Sequence, residues 1–211
     1  LCYVISDFTQ ANLDFCATHP SLQDWFQKGL LDLALFDVTQ SGDILLQHSR
    51  ARWSEQADLP LLAIANYVWD GIPQALYHVE QGKARKVAVK VSAHSTIPKQ
   101  LSQEEGLTLD FQVMKATDTS SAPYADLLNM YCEELHMPTA LLFPQLALTC
   151  LDRLSALCQE ELMLLSSDKG RLLLSEIAGQ YYPQPAYHGS FSLPVNFHAL
   201  ISYVIQQGGS A

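Results

Sequence analysis

Several common chemistries are missing from the sequence. Its 211 residues contain neither G-x-G-x-x-G nor a P-loop, so no glycine-rich turn is present to cradle a phosphate by its backbone amides. Gly189-Ser190-Phe191 lacks the second glycine of a nucleophile elbow, which leaves Ser190 a poor nucleophile. The seven histidines are dispersed, with no H-E-x-x-H and no paired ligand spacing, so no metal site is expected. The five cysteines form no C-x-x-C pair. Their odd count and wide spacing predict reduced thiols and a cytoplasmic setting rather than a disulfide framework.

Positive charge is scarce. Twelve Lys and Arg face 22 Asp and Glu, a net charge of -10, which argues against a nucleic-acid partner because nonspecific binding needs a cationic surplus. Lys83, Arg85 and Lys86 form the one small basic patch that stands out. No apolar run approaches the roughly 18 residues of a membrane span, so no membrane partner is expected. What remains is 48% hydrophobic and 16% charged, a globular composition of single-domain length. Leu1 is not an initiator Met, and Leu1–Ile5 is already strand-like. The chain reads as a piece of a longer one.

Its organisation centres on Pro60–Gln74, P-L-L-A-I-A-N-Y-V-W-D-G-I-P-Q. Leu61–Ala65 is a short continuous apolar run, the pattern of a strand buried on both faces. It ends in Asn66, with Asp70 and a Gly71-x-Pro73 turn behind it. Ligands of open α/β sheets bind beyond the carboxyl ends of strands. The alternative is that Asn66 and Asp70 only satisfy turn backbone. Two further apolar runs have the same form: Cys2–Ser6 closes on Asp7, and Leu30–Phe36 closes on Asp37. Between them, helical periodicity over Asn12–Cys16 and Leu22–Gln27 is interrupted at His19-Pro20, and Gly29 is placed as a C-cap.

A short hairpin is expected around Ser41-Gly42-Asp43. A second one joins Ala75–Val79 to Lys86–Val91 through Gln81-Gly82-Lys83. Ser92–Ser121 reads as polar loop with one strand at Leu107–Val113. Helices follow at Asp126–Leu135 and about Pro144–Cys158, the second with Leu146, Cys150, Leu154 and Leu157 on one stripe. Glu161–Ser166 is a buried strand closing on Ser167-Asp168-Lys169-Gly170. A strand through Phe191 and Leu193 and a helix to Gln206 complete the chain, and no internal repeat is apparent. The expected fold class is α/β, a Rossmann-like, mostly parallel sheet flanked by helices, with a hairpin and helical insertion over residues 75–160.

The strand-end acids suggest a chemistry. An Asp at one strand end can accept both hydroxyls of a ribose. An Asp at the next can accept from an adenine amino group, and an amide at a third can face the reacting part of a cofactor. Asp7, Asp37 and Asn66 occur in that order.

The segments Y-V-I-S-D-F-T, L-A-L-F-D-V and L-L-A-I-A-N-Y-V-W-D-G-I-P resemble the second, third and fourth strand ends of a class I S-adenosylmethionine-dependent methyltransferase. A-N-Y-V-W-D-G-I-P is similar to the A-N-E-x-x-D-x-x-P signature of the MidA-like family, and L-P-V-N-F-H-A-L to its V-D-F-x-A-L. That family includes mitochondrial protein-arginine methyltransferases that assist respiratory complex I assembly. The resemblance implies that residues 1–211 are a partial methyltransferase domain, with the first strand and glycine-rich loop lying before Leu1. The isolated fragment is then expected to be inactive.

It further implies S-adenosylmethionine as cofactor, held by Asp7, Asp37 and Asn66. Asp70 becomes the catalytic candidate, and His188 and Asn196 become substrate-binding candidates, with the methyl acceptor on a protein. Two departures bear on chemistry: Tyr67 stands where the family has Glu, and Asn196 where it has Asp. A protein-arginine methyltransferase uses carboxylates to hold a guanidinium, so these changes weaken the arginine inference. They favour instead a non-catalytic methyltransferase-like interaction or assembly module. A nucleotide-binding oxidoreductase shares the fold but fits less well.

Overall fold

A computed structural model describes residues 1–40, 42–53, 59–93, 107–115, 122–158, 161–183, 186–187 and 191–211. Across the described residues it is a mixed α/β structure of six α-helices and several small sheets, parallel and antiparallel. The chain divides into two compact units, Leu1–Ile64 with Thr149–Leu165, and Ala65–Leu148 with Ser166–Ala211.

The first unit opens with β1 (Tyr3–Asp7), α1 (Gln10–Thr18), a 3-10 turn (Pro20–Leu22), α2 (Gln23–Gln27) and β2 (Leu31–Leu35). The helical stretch breaks at His19-Pro20 as expected. Pro20 sits at the first position of the turn, where its missing N–H has no partner to lose. β1 and β2 are parallel, with Tyr3 beside Leu31 and Asp7 beside Leu35. Both faces of β2 are covered, which accounts for its apolar run. Leu31 and Leu33 pack with Leu13 and Phe26 of the helices. Ala34 packs with Ile44 and Leu157 on a second cluster.

The chain reverses twice in the next stretch. Ala34 of β2 forms an antiparallel bridge with Leu46, so one reversal falls between them, in the region where the short hairpin is expected. β3 (Ile44–Leu45) then pairs antiparallel with β4 (Arg52–Trp53) in a second reversal that the sequence does not mark. Arg50 takes the left-handed backbone there, at φ 62°. Ser41 itself lies outside the described residues.

β5 (Leu61–Asn66) leads out of the first unit, and its partner is β10 (Leu162–Ser167). The Leu61 amide donates to Glu161 O and the Tyr67 amide to Ser167 O. The equal advance along both strands makes the pair parallel and sets Leu62 beside Met163 and Ile64 beside Leu165. These four side chains are 55%, 59%, 60% and 47% exposed respectively. β5 is therefore covered on one face only, which corrects the expectation of burial on both. A continuous apolar run reports burial by whatever layers exist, and no described helix lies over this face.

In the second unit, β6 (Ala75–Glu80) and β7 (Lys83–Ala93) form the expected hairpin. Its two-residue turn has both central residues left-handed, Gln81 at φ 51° and Gly82 at φ 72°, matching the twist of the strands. β8 (Leu107–Val113), the one strand expected within the polar loop, pairs with β7. The remaining expected loop, residues 94–106 and 116–121, lies outside the described residues. α3 (Ala125–Glu134) is followed by β9 (Thr139–Phe143), which pairs antiparallel with β6 and completes a four-stranded sheet. Sequence reading passed over β9 because five apolar-rich residues between two helices carry no period.

α4 (Gln145–Ala156) precedes β10, and β11 (Gly170–Arg171), α5 (Leu174–Ile177), β12 (Ala186–Tyr187), β13 (Phe191–Ser192), β14 (Val195–Asn196) and α6 (Phe197–Gln206) follow it. β11 and β14 are parallel, with Gly170 opposite Val195. A methyl group on Gly170 would strike the Val195 carbonyl and the Phe197 ring, so the close approach requires glycine. No described helix is long and apolar enough to cross a membrane.

Candidate functional site

Asp7 and Asp37 come together at one edge of the first unit. Asp7 is the last residue of β1, and Asp37 lies just beyond the end of its parallel neighbour β2. The Phe36 amide donates to Asp7 O at 2.9 Å and ties the two strand ends. Each acid begins the same local motif, D-F-T-Q at 7–10 and D-V-T-Q at 37–40. In both, the carboxylate Oδ1 accepts from the backbone amide and the hydroxyl of the Thr two residues on. The distances are 2.7 and 2.6 Å for Asp7 and 2.8 and 2.7 Å for Asp37. This echo went unnoticed in the sequence because four residues repeated once carry little statistical weight.

The second oxygens differ. Asp7 Oδ2 accepts from Asn12 Nδ2 at 2.9 Å, whereas Asp37 Oδ2 has only a long 3.5 Å approach from Gln40 Nε2. Partial burial raises the Asp7 pKa, but the bonds from Thr9 and Asn12 outweigh it and hold the carboxyl below its ordinary value. Asp37 is lowered as well, chiefly by the Thr39 hydroxyl and amide, with a smaller contribution from Arg153. Both acids are thus ionised acceptors at neutral pH.

Arg153 positions the Asp37 loop. Its guanidinium donates to the carbonyls of Gly42, Gln40 and Asp37, at 2.8–3.3 Å, and lies 4.7 Å from the centre of the Phe36 ring. Nothing in the sequence marks this role, since Arg153 lies 116 positions beyond Asp37. Asp32 was likewise passed over inside L-L-D-L-A-L. It is only 2% exposed and accepts from the amides of Leu33, His48 and Ser49 at 2.7, 2.8 and 3.1 Å. Burial raises its pKa, yet these bonds lower it on balance. Its work is to pin the loop beyond β3.

The remaining candidates belong to the second unit. Asn66 is exposed at the end of β5. Tyr67, next to it, is left-handed at φ 52° and its ring is 72% exposed. Asp70 faces Asp168, whose Oδ2 accepts from the amides of Trp69 and Asp70 at 2.9 and 3.1 Å and whose Oδ1 accepts from Lys169 N at 2.8 Å. Burial first, and then the Asp168 charge, push the Asp70 carboxyl above its ordinary value. Trp69 is 2% exposed and donates Nε1–H to Ser166 Oγ at 2.8 Å, so it is a packing residue.

Asn196 has a task other than the expected one. It is 3% exposed and caps α6, its Oδ1 accepting from Ala199 N at 3.0 Å and from the Tyr131 hydroxyl at 3.2 Å. Its Nδ2 donates to Leu142 O at 3.0 Å. These partners fix the side chain and leave it little capacity for a substrate. Tyr131 Oη also lies 2.8 Å from His198 Nδ1. One hydroxyl proton cannot serve both neighbours, so a single consistent chain runs from His198 Nδ1–H to Tyr131 Oη and from Tyr131 O–H to Asn196 Oδ1. Burial lowers the His198 pKa and raises that of Tyr131. His188 lies outside the described residues. Arg85 of the small basic patch approaches Glu80 at 3.3 Å. Among the described residues no group of three or more His, Cys, Asp and Glu side chains could hold a metal ion.

No protein-family model matches the chain, and no curated protein or solved structure matches it.

Proposed function

We propose that the chain is part of an S-adenosylmethionine-dependent methyltransferase with a Rossmann-like sheet, acting on a protein side chain. The observation that carries this reading is the pair of ionised carboxylates, Asp7 and Asp37, at the carboxyl ends of adjacent parallel strands joined through helices. That edge is where open α/β sheets bind nucleotide-like ligands. The donor chemistry fits. A ribose diol and an adenine amine are both hydrogen-bond donors, and a carboxylate oxygen bonded once keeps a free lone pair. Asp37 Oδ2 has the most spare capacity.

In this reading Asp7 accepts from the ribose hydroxyls and Asp37 from the adenine amine. The bound cofactor supplies an electrophilic methyl group on sulfonium. The chain's own contribution is to fix the nucleoside and orient the acceptor, which is positioning rather than covalent chemistry. Asp70, in the second unit, has a raised pKa, which suits an acid that orients an acceptor side chain or takes a proton at a carboxylate oxygen.

The test is calorimetric titration of S-adenosylhomocysteine into the full natural chain, beside Asp7→Asn. That variant keeps an oxygen for Thr9 but drops the charge. We expect micromolar binding, weakened about tenfold or more, some 1.4 kcal/mol, in the variant. Equal affinity for both proteins would end the proposal. A second reading, a non-catalytic interaction module on the same sheet, is favoured by one observation. Both Asp7 oxygens already have short internal partners. No binding at millimolar ligand would point there.

A further inference from the structure

The second unit contains a cavity of about 230 Å³ that the methyltransferase reading does not use. Its lining is mixed, with Leu142, Ile177 and Val195 supplying apolar surface, Gln180 and Asn196 supplying polar surface, and Arg171 bringing a cation into it. Tyr181, 92% exposed, stands among the lining residues. Arg171 is half-buried and held from behind. Its Nη1 donates to Glu176 O and its Nη2 to Gln180 Oε1, both at 3.0 Å. Gln180 is itself fixed, its Nε2 donating to Glu176 O at 3.0 Å.

The Glu176 carboxylate, five positions on, forms no ion pair with this cation. Glu176 Oε2 turns back to accept from the amides of Leu172 and Leu173 at 2.9 and 3.0 Å, and those bonds, more than Arg171, lower its pKa. None of the ion pairs among the described residues includes Arg171. A guanidinium has five N–H donors, so donors remain on a group already oriented by two bonds. An immobilised guanidinium outside those ion pairs, beside a small pocket of mixed lining, is complementary to a planar oxyanion with a compact, partly apolar body. The volume falls below the roughly 300–1,000 Å³ of drug-sized ligand sites, which restricts the occupant to a small group.

We propose that this cavity binds an organic carboxylate, with the carboxyl against Arg171 and a compact apolar body over Leu142, Ile177 and Val195. The proposal is independent of the methyltransferase reading. Two sources share this chemistry, a free small acid and the C-terminal carboxylate of a peptide.

The test is a titration followed by amide chemical shifts in the full chain. The probes are benzoate, benzamide, and N-acetyl-Pro-Phe with a free or amidated C-terminus. Benzoate is expected to bind at about a millimolar or tighter, with shifts at Arg171, Ile177 and Val195. Benzamide, which lacks the charge, should bind at least about tenfold more weakly. Arg171→Gln should abolish the difference between the two, and Arg171→Lys should leave a partial preference because charge persists without the fork. Tighter binding of the free-acid peptide than of benzoate assigns the site to chain termini, and the reverse assigns it to small acids. Equal affinity for benzoate and benzamide, or no shifts at about 10 mM of either acid, overturns the proposal. These two outcomes are read on the natural chain and do not depend on the variants folding.

Discussion

Among single residues, the acids were legible as positions and not as tasks. Asp7, Asp37 and Asp70 all stand at strand ends or in the turns beyond them, where the sequence placed them. Their partners were not readable, because Thr9 and Asn12 are ordinary polar residues until a turn folds them back. Asp70 offers a direct check of its surroundings. Its pKa is raised by burial and by Asp168, with backbone hydrogen bonds from Gly71 and Asp70, and then Lys169, opposing by less. A raised carboxyl pKa means the folded state prefers the protonated form. The associated stability is present below the unfolded value near 3.8 and is lost as pH rises through the folded value. Asp70→Asn should therefore raise the melting temperature at pH 7 by a degree or so, about what a few tenths of a kcal/mol gives. At about pH 3.5 that advantage should vanish. Thermal melts of both proteins at the two pH values decide it, and an advantage that persists in acid would refute the repulsion.

Secondary-structure elements were recovered best where a special backbone or a strong period marks them. The Gln81-Gly82 turn announced its hairpin, and His19-Pro20 announced the break between α1 and α2. β9 and the β3–β4 hairpin were not readable, since short strands are specified by what they pair with. The α6 N-terminus shows how far a family pattern can mislead about a side chain. Asn196 reads as a lost acid, yet its amide does what a carboxylate cannot: it accepts from Ala199 N and also donates to Leu142 O. Asn196→Asp should keep the cap and set two oxygens against each other at Leu142. A loss of about 1–3 kcal/mol is expected in denaturant unfolding at pH 7, larger than the few tenths usual for a surface change. No loss would return Asn196 to the list of residues kept for a ligand.

At the level of the whole molecule, the sequence predicted one mostly parallel sheet. The structure bears out the mixed α/β class in the form of small sheets, among them a parallel β1–β2 pair, a parallel β5–β10 pair and an antiparallel four-stranded sheet. That this division is not legible in the sequence has a physical origin. Buried strands advertise apolarity, not neighbours, and strand order depends on contacts between residues as far apart as β5 and β10. The exposed face formed by Leu62, Ile64, Met163 and Leu165 belongs to the same issue. Apolar surface of this kind binds hydrophobic dyes and promotes association. The folded chain should enhance the fluorescence of anilinonaphthalene sulfonate, and Leu62→Lys with Ile64→Lys should reduce that signal by half or more without lowering helix content. Unchanged fluorescence would place the dye, and the accessible apolar surface, elsewhere.

Asp168 takes amides from two chain segments nearly a hundred residues apart, those of Trp69 and Asp70 on one side and Lys169 on the other. Whichever of the two turns lifts away, the Trp69 and Asp70 amides lose their acceptor. Excursions from the native state in this corner are therefore concerted, two loops opening as a single cooperative unit. A change that loosens the turn after β5 will be felt in the turn after β10, although no residue of the second has been touched.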